Sequence, residues 1–244
     1  MSGRDLAGSV AVITGAGSGV GRAVAVELAA SGGTPVLVGR SRGPLDETAA
    51  LVEDGGGRSL VLPADVTDAA AVTTVFDRAA AELEGIDALI LSAGIGSYGP
   101  IESYPLADWQ ATIATNLTGP FLCAQAAIPH LRRRGGGAIV AVSSGAGKQG
   151  YPDLGAYSAS KFGLMGLMQG LAGEVGGDGI KVSTVVPGSI LTPFGGRTVA
   201  EKREAMASDP SKKYLAPEDV AEAILFLLRQ PRHAWTQELN LWPF

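Results

Sequence analysis

Cysteine is nearly missing from this 244-residue chain: the lone Cys123 excludes an intrachain disulfide and any cysteine-rich metal site, and reads as a core-facing helix residue. Histidine is as scarce. His130 and His233 have no partner at the spacing of a metal site or a Ser/His/Asp triad, so no metal is expected. No apolar run approaches the ~18 residues of a membrane span. The opening Met1-Ser2-Gly3-Arg4-Asp5 leads into no long apolar stretch with a small-residue cleavage site. A cytoplasmic protein without a membrane partner is the expectation. Positive charge is also short, with 19 Lys and Arg against 24 Asp and Glu and a net charge of -5 at pH 7. That balance argues against nucleic acid as a partner, since such binding rests on neutralising phosphates. The basic cluster Arg132-Arg133-Arg134 precedes Gly135-Gly136-Gly137 and reads as a solvated helix C-terminus, where cations suit the dipole and glycine ends the helix.

Glycine, in contrast, is abundant. Its 35 residues are about twice the usual share of roughly 7%, and they cluster at turns without a collagen-like period. Short β-rich runs at 10–14, 36–39, 60–62, 88–92, 138–142, 182–186 and 238–241 alternate with helical patterns. Val72, Val75, Phe76, Ala79 and Leu83 form one apolar stripe, and Leu117, Phe121, Ala124, Ile128 and Leu131 a second. Pro217-Glu218-Asp219 opens a third helix, with Val220, Ile224, Leu227 and Leu228 as its stripe. Apolar strands without alternation, separated by helices, specify an α/β fold: a doubly wound parallel sheet of about seven strands with helices on both faces. No composition break divides the chain, so 1–244 is expected to be a single domain. The stretch 189–216 holds no strong strand, is long for a connection and reads as a substrate loop.

The first strand runs into Thr14-Gly15-Ala16-Gly17-Ser18-Gly19-Val20-Gly21, with a helix expected from about Arg22. Glycines let backbone approach a pyrophosphate, and a helix N-terminus offers it free N–H groups. The spacing Gly15, Gly19, Gly21 is G-x-x-x-G-x-G, and no Lys-Ser/Thr follows to make a P-loop. At the end of the second strand, Gly39-Arg40-Ser41-Arg42 lacks the acid that holds an NAD ribose, while Arg40 offers a partner for a 2′-phosphate. NADP(H) is therefore the expected cofactor, with NAD(H) the alternative.

Tyr157 and Lys161 stand at i and i+4 of Tyr157-Ser158-Ala159-Ser160-Lys161, on one helix face. An ammonium about 4 Å from the phenol would favour tyrosinate by about 4 kcal/mol at an effective dielectric near 20, bringing the group down into a catalytic range.

Together with Gly15/Gly19/Gly21, Asp65-Val66, Ser92-Ala93-Gly94, Asn116, Ser144 and Pro187-Gly188…Thr192, in this order, these residues resemble the short-chain dehydrogenase/reductase family over nearly the whole chain. The resemblance implies a Rossmann-type fold and hydride transfer between a nicotinamide and a ketone or secondary alcohol, commonly in a homodimer or homotetramer. Tyr157 would be the general acid in reduction and the base in oxidation. Lys161 would lower its pKa and hold the nicotinamide ribose, and Ser144 would orient the carbonyl. Asn116 would kink its helix and hold a water. Ser18, Val20, Ser92, Ala93 and Gly94 would join the glycines around the cofactor. Asp65 and Val66 would meet the adenine, and Pro187, Gly188, Ile190 and Thr192 the nicotinamide side. Ala146, Tyr151, Gly188 and Phe194 would line the substrate pocket beside Ser144 and Tyr157. No fixed cation is evident there, which favours a neutral or modestly polar substrate. Two stretches depart from the family pattern. Its Asn-Asn-Ala-Gly is Leu91-Ser92-Ala93-Gly94 here, and its Val-Asp-Gly-Gly-like end is Leu239-Asn240-Leu241-Trp242-Pro243-Phe244, an apolar tail read as a subunit contact. A nucleotide-binding regulator without catalysis is the rival reading, against which the complete Asn/Ser/Tyr/Lys set argues.

Overall fold

Strands that are apolar on both sides must be covered on both faces, and this demand organises the chain. The computed structural model describes residues 5–244; the first four residues of the expected domain lie outside the described residues. The strands are β1 (Val10–Thr14), β2 (Thr34–Gly39), β3 (Leu60–Pro63), β4 (Ala88–Leu91), β5 (Gly137–Val142), β6 (Ile180–Pro187) and β7 (Glu238–Leu241). All are parallel, in the order β3-β2-β1-β4-β5-β6-β7. This is the Rossmann-type sheet expected from the alternation of elements.

The helices are α1 (Gly19–Ala30), α2 (Arg42–Asp54), α3 (Ala69–Glu82), α4 (Leu106–Ile113), α5 (Gly119–Arg133), α6 (Gly155–Val175), α7 (Val199–Ser208) and α8 (Pro217–Arg229). One face of the sheet packs Val72, Val75 and Phe76 of α3, Cys123 and Leu131 of α5, and Leu164 and Met168 of α6. The other packs Val24 and Leu28 of α1, Leu45 of α2, and Val220, Ile224 and Leu228 of α8. Cys123 is buried as expected, and burial raises its thiol to about 12, an inert core group.

The chain leaves the middle of the sheet in opposite directions on either side of β1 and β4. A crevice therefore opens at their carboxyl ends, the place where this topology binds ligands. Thr14 closes the bottom of that crevice. Its Oγ1 accepts from the backbone N–H groups of Ser92 and Ala93, both at 3.1 Å, and joins β1 to the end of β4.

Three local expectations change. The first helix begins at Gly19 rather than Arg22, which places Gly19 and Gly21 inside its first turn. The stretch 189–216 contains α7, built on a Thr198/Glu201 capping box. That helix has no apolar stripe, and only Lys202 of its residues is buried, so periodicity could not reveal it. The arginine cluster does end α5, at Gly135 with φ +76°, but it is not merely solvated. Arg132 pairs with Asp178 at 2.7 Å and Arg134 with Asp87 at 3.2 Å, tying the helix end to the neighbouring loops.

Candidate active site

Glycine at three positions sets how closely the chain can fold around the crevice. Gly15 has φ +67°, and a Cβ there would lie 2.9 Å from the Ala93 backbone. A Cβ on Gly21 would lie 2.4 Å from the Gly15 carbonyl oxygen, so the first turn of α1 can close on the loop only without one. At Gly19, φ is +50° and Thr192 approaches from across the crevice. The N-cap Ser18 makes no side-chain capping bond, which leaves the first N–H groups of α1 facing the opening. Arg22, which was not singled out in the sequence, braces this loop from behind. Its guanidinium donates to the Gly17 carbonyl at 2.6 Å and to Thr48 at 3.0 Å, and pairs with Glu47 at 2.8 Å.

The crevice has a volume of about 900 Å³ and brings together most of the anticipated residues. Gly15, Ser18, Gly19, Val20, Ser92, Ala93, Gly94, Pro187, Gly188, Ile190 and Thr192 line it, as do Ser144, Ala146, Tyr151, Tyr157, Lys161 and Phe194. Gly21, Arg40, Asp65, Val66 and Asn116 do not. Arg40 is exposed at the end of β2, and Asp65 beyond β3 accepts from the Thr67 N–H and hydroxyl at 2.9 and 2.8 Å. Those bonds first, and the Arg40 charge last, hold the Asp65 carboxyl below its usual range, opposed by its slight burial.

Asn116 is fully buried in a π turn, Ala114–Thr118, between α4 and α5, which is the expected kink. Three of its hydrogen-bonding positions are taken within the protein. The Oδ1 accepts from Ile95 N–H at 2.8 Å, and the Nδ2 donates to the Ile95 carbonyl at 2.8 Å and to Ser160 Oγ at 3.0 Å. The side chain thus ties the end of β4 to α6. The neighbouring departure from the family pattern is resolved here too, because Ser92 is fixed through its backbone N–H on Thr14.

On α6, Tyr157 and Lys161 face the crevice from successive turns. Ser144 at the end of β5 accepts from Ala146 N–H at 3.1 Å, and its hydroxyl favours the ionised form of the Tyr157 phenol across the crevice. Lys161 is buried, and its Nζ donates to the Val142 carbonyl at 2.8 Å while lying 5.7 Å from the centre of the Tyr157 ring. The expected lowering of Tyr157 is therefore reversed. Burial pushes the phenol up to about 12, which the Ser144 hydroxyl only partly offsets, and burial also pulls Lys161 down to about 8. Desolvation outweighs mutual attraction because the ammonium is spent on a carbonyl rather than on the phenol oxygen.

Exposed Arg197 and buried Lys202 line the crevice with Lys161, and among the described residues no Asp or Glu lines it. Trp242 helps to wall the crevice while remaining 54% exposed. Its indole, with Pro243, covers Gly145 and Gly188, where a Cβ would meet the two rings at 2.7 to 2.9 Å. Phe244 remains exposed, beneath the Lys213 ammonium. Periodicity gives no sign of Trp242, Arg197 or Lys202, because none belongs to an amphipathic stripe. Among the described residues no group of three His, Cys, Asp or Glu side chains is placed to hold a metal, and no helix is long and apolar enough to cross a membrane.

A parallel sheet with a glycine-cradled helix start and a Ser/Tyr/Lys cluster at its carboxyl edge defines a pyridine-nucleotide oxidoreductase class of site. Comparison with known proteins narrows this. The family described as short chain dehydrogenase matches residues 9–203. The cis-4-hydroxycyclohexanecarboxylate dehydrogenase of Sinomonas cyclohexanicum is 40% identical over 227 residues, 92% of this chain and 91% of the relative. The D-threitol dehydrogenase of Mycolicibacterium smegmatis is 37% identical over 91% of this chain and 86% of its own. A crystal structure of a metagenomic short-chain oxidoreductase in complex with NADP superposes with a TM-score of 0.85 at 30% identity, covering 99% of both chains. The chain belongs to the short-chain dehydrogenase/reductase family, and is an oxidoreductase acting on alcohols and ketones.

The site's electrostatics make one prediction. In an ultraviolet difference titration of wild type against Tyr157→Phe, the Tyr157 wave should be centred near 12, beyond the ordinary tyrosines. A wave at or below the ordinary tyrosine range would contradict the dominance of burial.

Proposed function

We propose that the chain is an NADP(H)-dependent oxidoreductase that interconverts a secondary alcohol and its ketone, with Tyr157 as the proton donor and acceptor. The observation that carries this reading is the meeting of Tyr157, Ser144 and buried Lys161 in one crevice with the glycine cradle. The cradle fits a dinucleotide, because Gly15 and Gly21 leave no room for a side chain and the α1 N-terminus is uncapped. Ser18, Gly19 and Val20 would face its phosphates, and Ser92, Ala93, Gly94, Pro187, Gly188, Ile190 and Thr192 its nicotinamide half. When bound, the nicotinamide supplies or takes up the hydride. Exposed Arg40, with no acid at the end of β2, supports the 2′-phosphate form, as does the NADP in the structural relative.

In reduction, the Ser144 hydroxyl holds the substrate oxygen and the neutral Tyr157 phenol protonates it. The phenol, pushed up by burial, is protonated at neutral pH and so carries the proton to be given. Lys161, near 8, is mostly an ammonium there and steadies the developing charge. Asn116 positions α6 and the Ile95 backbone. Ala146, Tyr151, Phe194 and Trp242 wall the substrate, and Arg197 favours one carrying a carboxylate, consistent with the hydroxy acid named for the Sinomonas relative. Assembly into a homo-oligomer is supported by exposed Leu106, Trp109, Phe121 and Phe162 on α4, α5 and α6.

Paired fluorescence titrations should give at least about tenfold tighter binding of NADPH than NADH, and Arg40→Ala should remove the difference. Equal affinities in the wild type would return the chain to NAD(H). In a panel of hydroxy acids and neutral alcohols, Tyr157→Phe should lower turnover by about 10²–10⁴-fold. Turnover retained in that variant would refute the role of Tyr157.

A further inference from the structure

A lysine ammonium is costly to bury without a carboxylate, and Lys202 is buried without one. It projects from α7 into the loop that precedes its own helix. Its three N–H donors meet three backbone carbonyls, those of Ile190 at 3.3 Å, Thr192 at 2.7 Å and Phe194 at 3.2 Å. The loop is closed at its base by a parallel bridge, in which Leu191 N–H donates to the Leu215 carbonyl and Leu215 N–H to the Ser189 carbonyl, both at 2.8 Å. Residues 189–215 thus form a lid with a fixed neck. Inside it, the single ammonium gathers the three carbonyls, that of Ile190 also accepting from Thr192 N–H at 2.9 Å.

What the gathered carbonyls carry is the point of the arrangement. The Thr192 side chain lies against the start of α1, with its Cγ2 3.1 Å from where a Gly19 Cβ would stand. The Phe194 ring lies 5.3 Å from the Tyr157 ring, tilted by 54°, and crowds Gly96 on the other side. One cation therefore sets the position of the lid on both halves of the crevice, the helix start and the tyrosine.

We propose that Lys202 is a positioning residue: it pins the lid so that Thr192 closes over the α1 N-terminus and Phe194 packs on Tyr157. This rests on the proposed oxidoreductase reading for its consequence in turnover, but not for the pin itself. Removing the ammonium frees the Thr192 and Phe194 carbonyls, leaves that of Ile190 only its Thr192 N–H, and loosens the lid without touching the sheet.

The test uses Lys202→Cys in the full chain, followed by alkylation with 2-bromoethylamine, which rebuilds an ammonium at nearly lysine length. Alkylation with iodoacetamide restores bulk without charge. Cys123 is buried and inert, so the new thiol is the one that reacts. Cleavage by chymotrypsin after Phe194 reads the lid directly. It should quicken about tenfold or more in Lys202→Cys, return toward wild type with aminoethylation and stay fast with iodoacetamide. With the hydroxy acids of the panel and NADP+, KM should rise and kcat fall by about tenfold together, and recover with the same reagent. The urea midpoint should stay put. Cleavage at the wild-type rate in Lys202→Cys overturns the proposal, and so does acceleration that aminoethylation fails to reverse. A wild type that turns over no substrate would fail the oxidoreductase reading alone, and the cleavage series would still decide the pin.

Discussion

A single buried amide joins the parts of the crevice. Asn116 sits where α4 and α5 meet in a π turn, and it gives three hydrogen bonds to two other elements. Two run to the N–H and carbonyl of Ile95, just past β4, and the third to Ser160 on α6. Ser160 in turn donates to the Tyr157 carbonyl at 2.7 Å. The sheet edge, the helix kink and the helix that carries Tyr157 and Lys161 are thus set by one side chain. Each bond contributes about 1 kcal/mol, but a partner left buried and unpaired costs about 1–3 kcal/mol, so the joint is either complete or expensive. The π turn follows from this: it widens the helix by a residue where the amide must reach sideways.

Around that joint, burial governs the electrostatics. Among the described residues no acid lines the crevice, and its charged side chains are Lys161, Arg197 and Lys202. Two of the three are spent on backbone carbonyls. A cationic crevice with uncommitted N–H groups at the start of α1 suits a polyanionic cofactor, and the remaining Arg197 suits an anionic group on the substrate. Desolvation moves Tyr157 and Lys161 in opposite directions, each toward its neutral form. The proposed proton donor is thereby held protonated, while the lysine beside it remains able to change charge near neutral pH.

Most of this was legible in the residues because the signals are periodic or local. Strands without polar alternation specified the parallel sheet, and the spacing of Gly15, Gly19 and Gly21 after a strand located the cradle. Tyr157 and Lys161 at helical spacing placed the cluster. What escaped had no such signal. The helix α7 lacks an apolar stripe, so it read as loop, and Lys202 within it had no visible partner. Trp242 enters the crevice only because glycines at 145 and 188, both far from it in sequence, leave room for its rings. The lowering of Tyr157 failed for a related reason. Spacing along a helix brings Lys161 near the ring, but it cannot tell that the Val142 carbonyl takes the ammonium.

Amide hydrogen exchange in Asn116→Leu reads the Asn116 joint most directly. The leucine keeps the volume and removes all three bonds. Protection should be lost together in the segments at 92–97 and 157–161, which are far apart in sequence, while the strands β1, β4 and β5 stay protected. Unchanged protection in both segments, or loss in the first alone, would contradict the claim that one amide holds the sheet edge and the tyrosine helix in register.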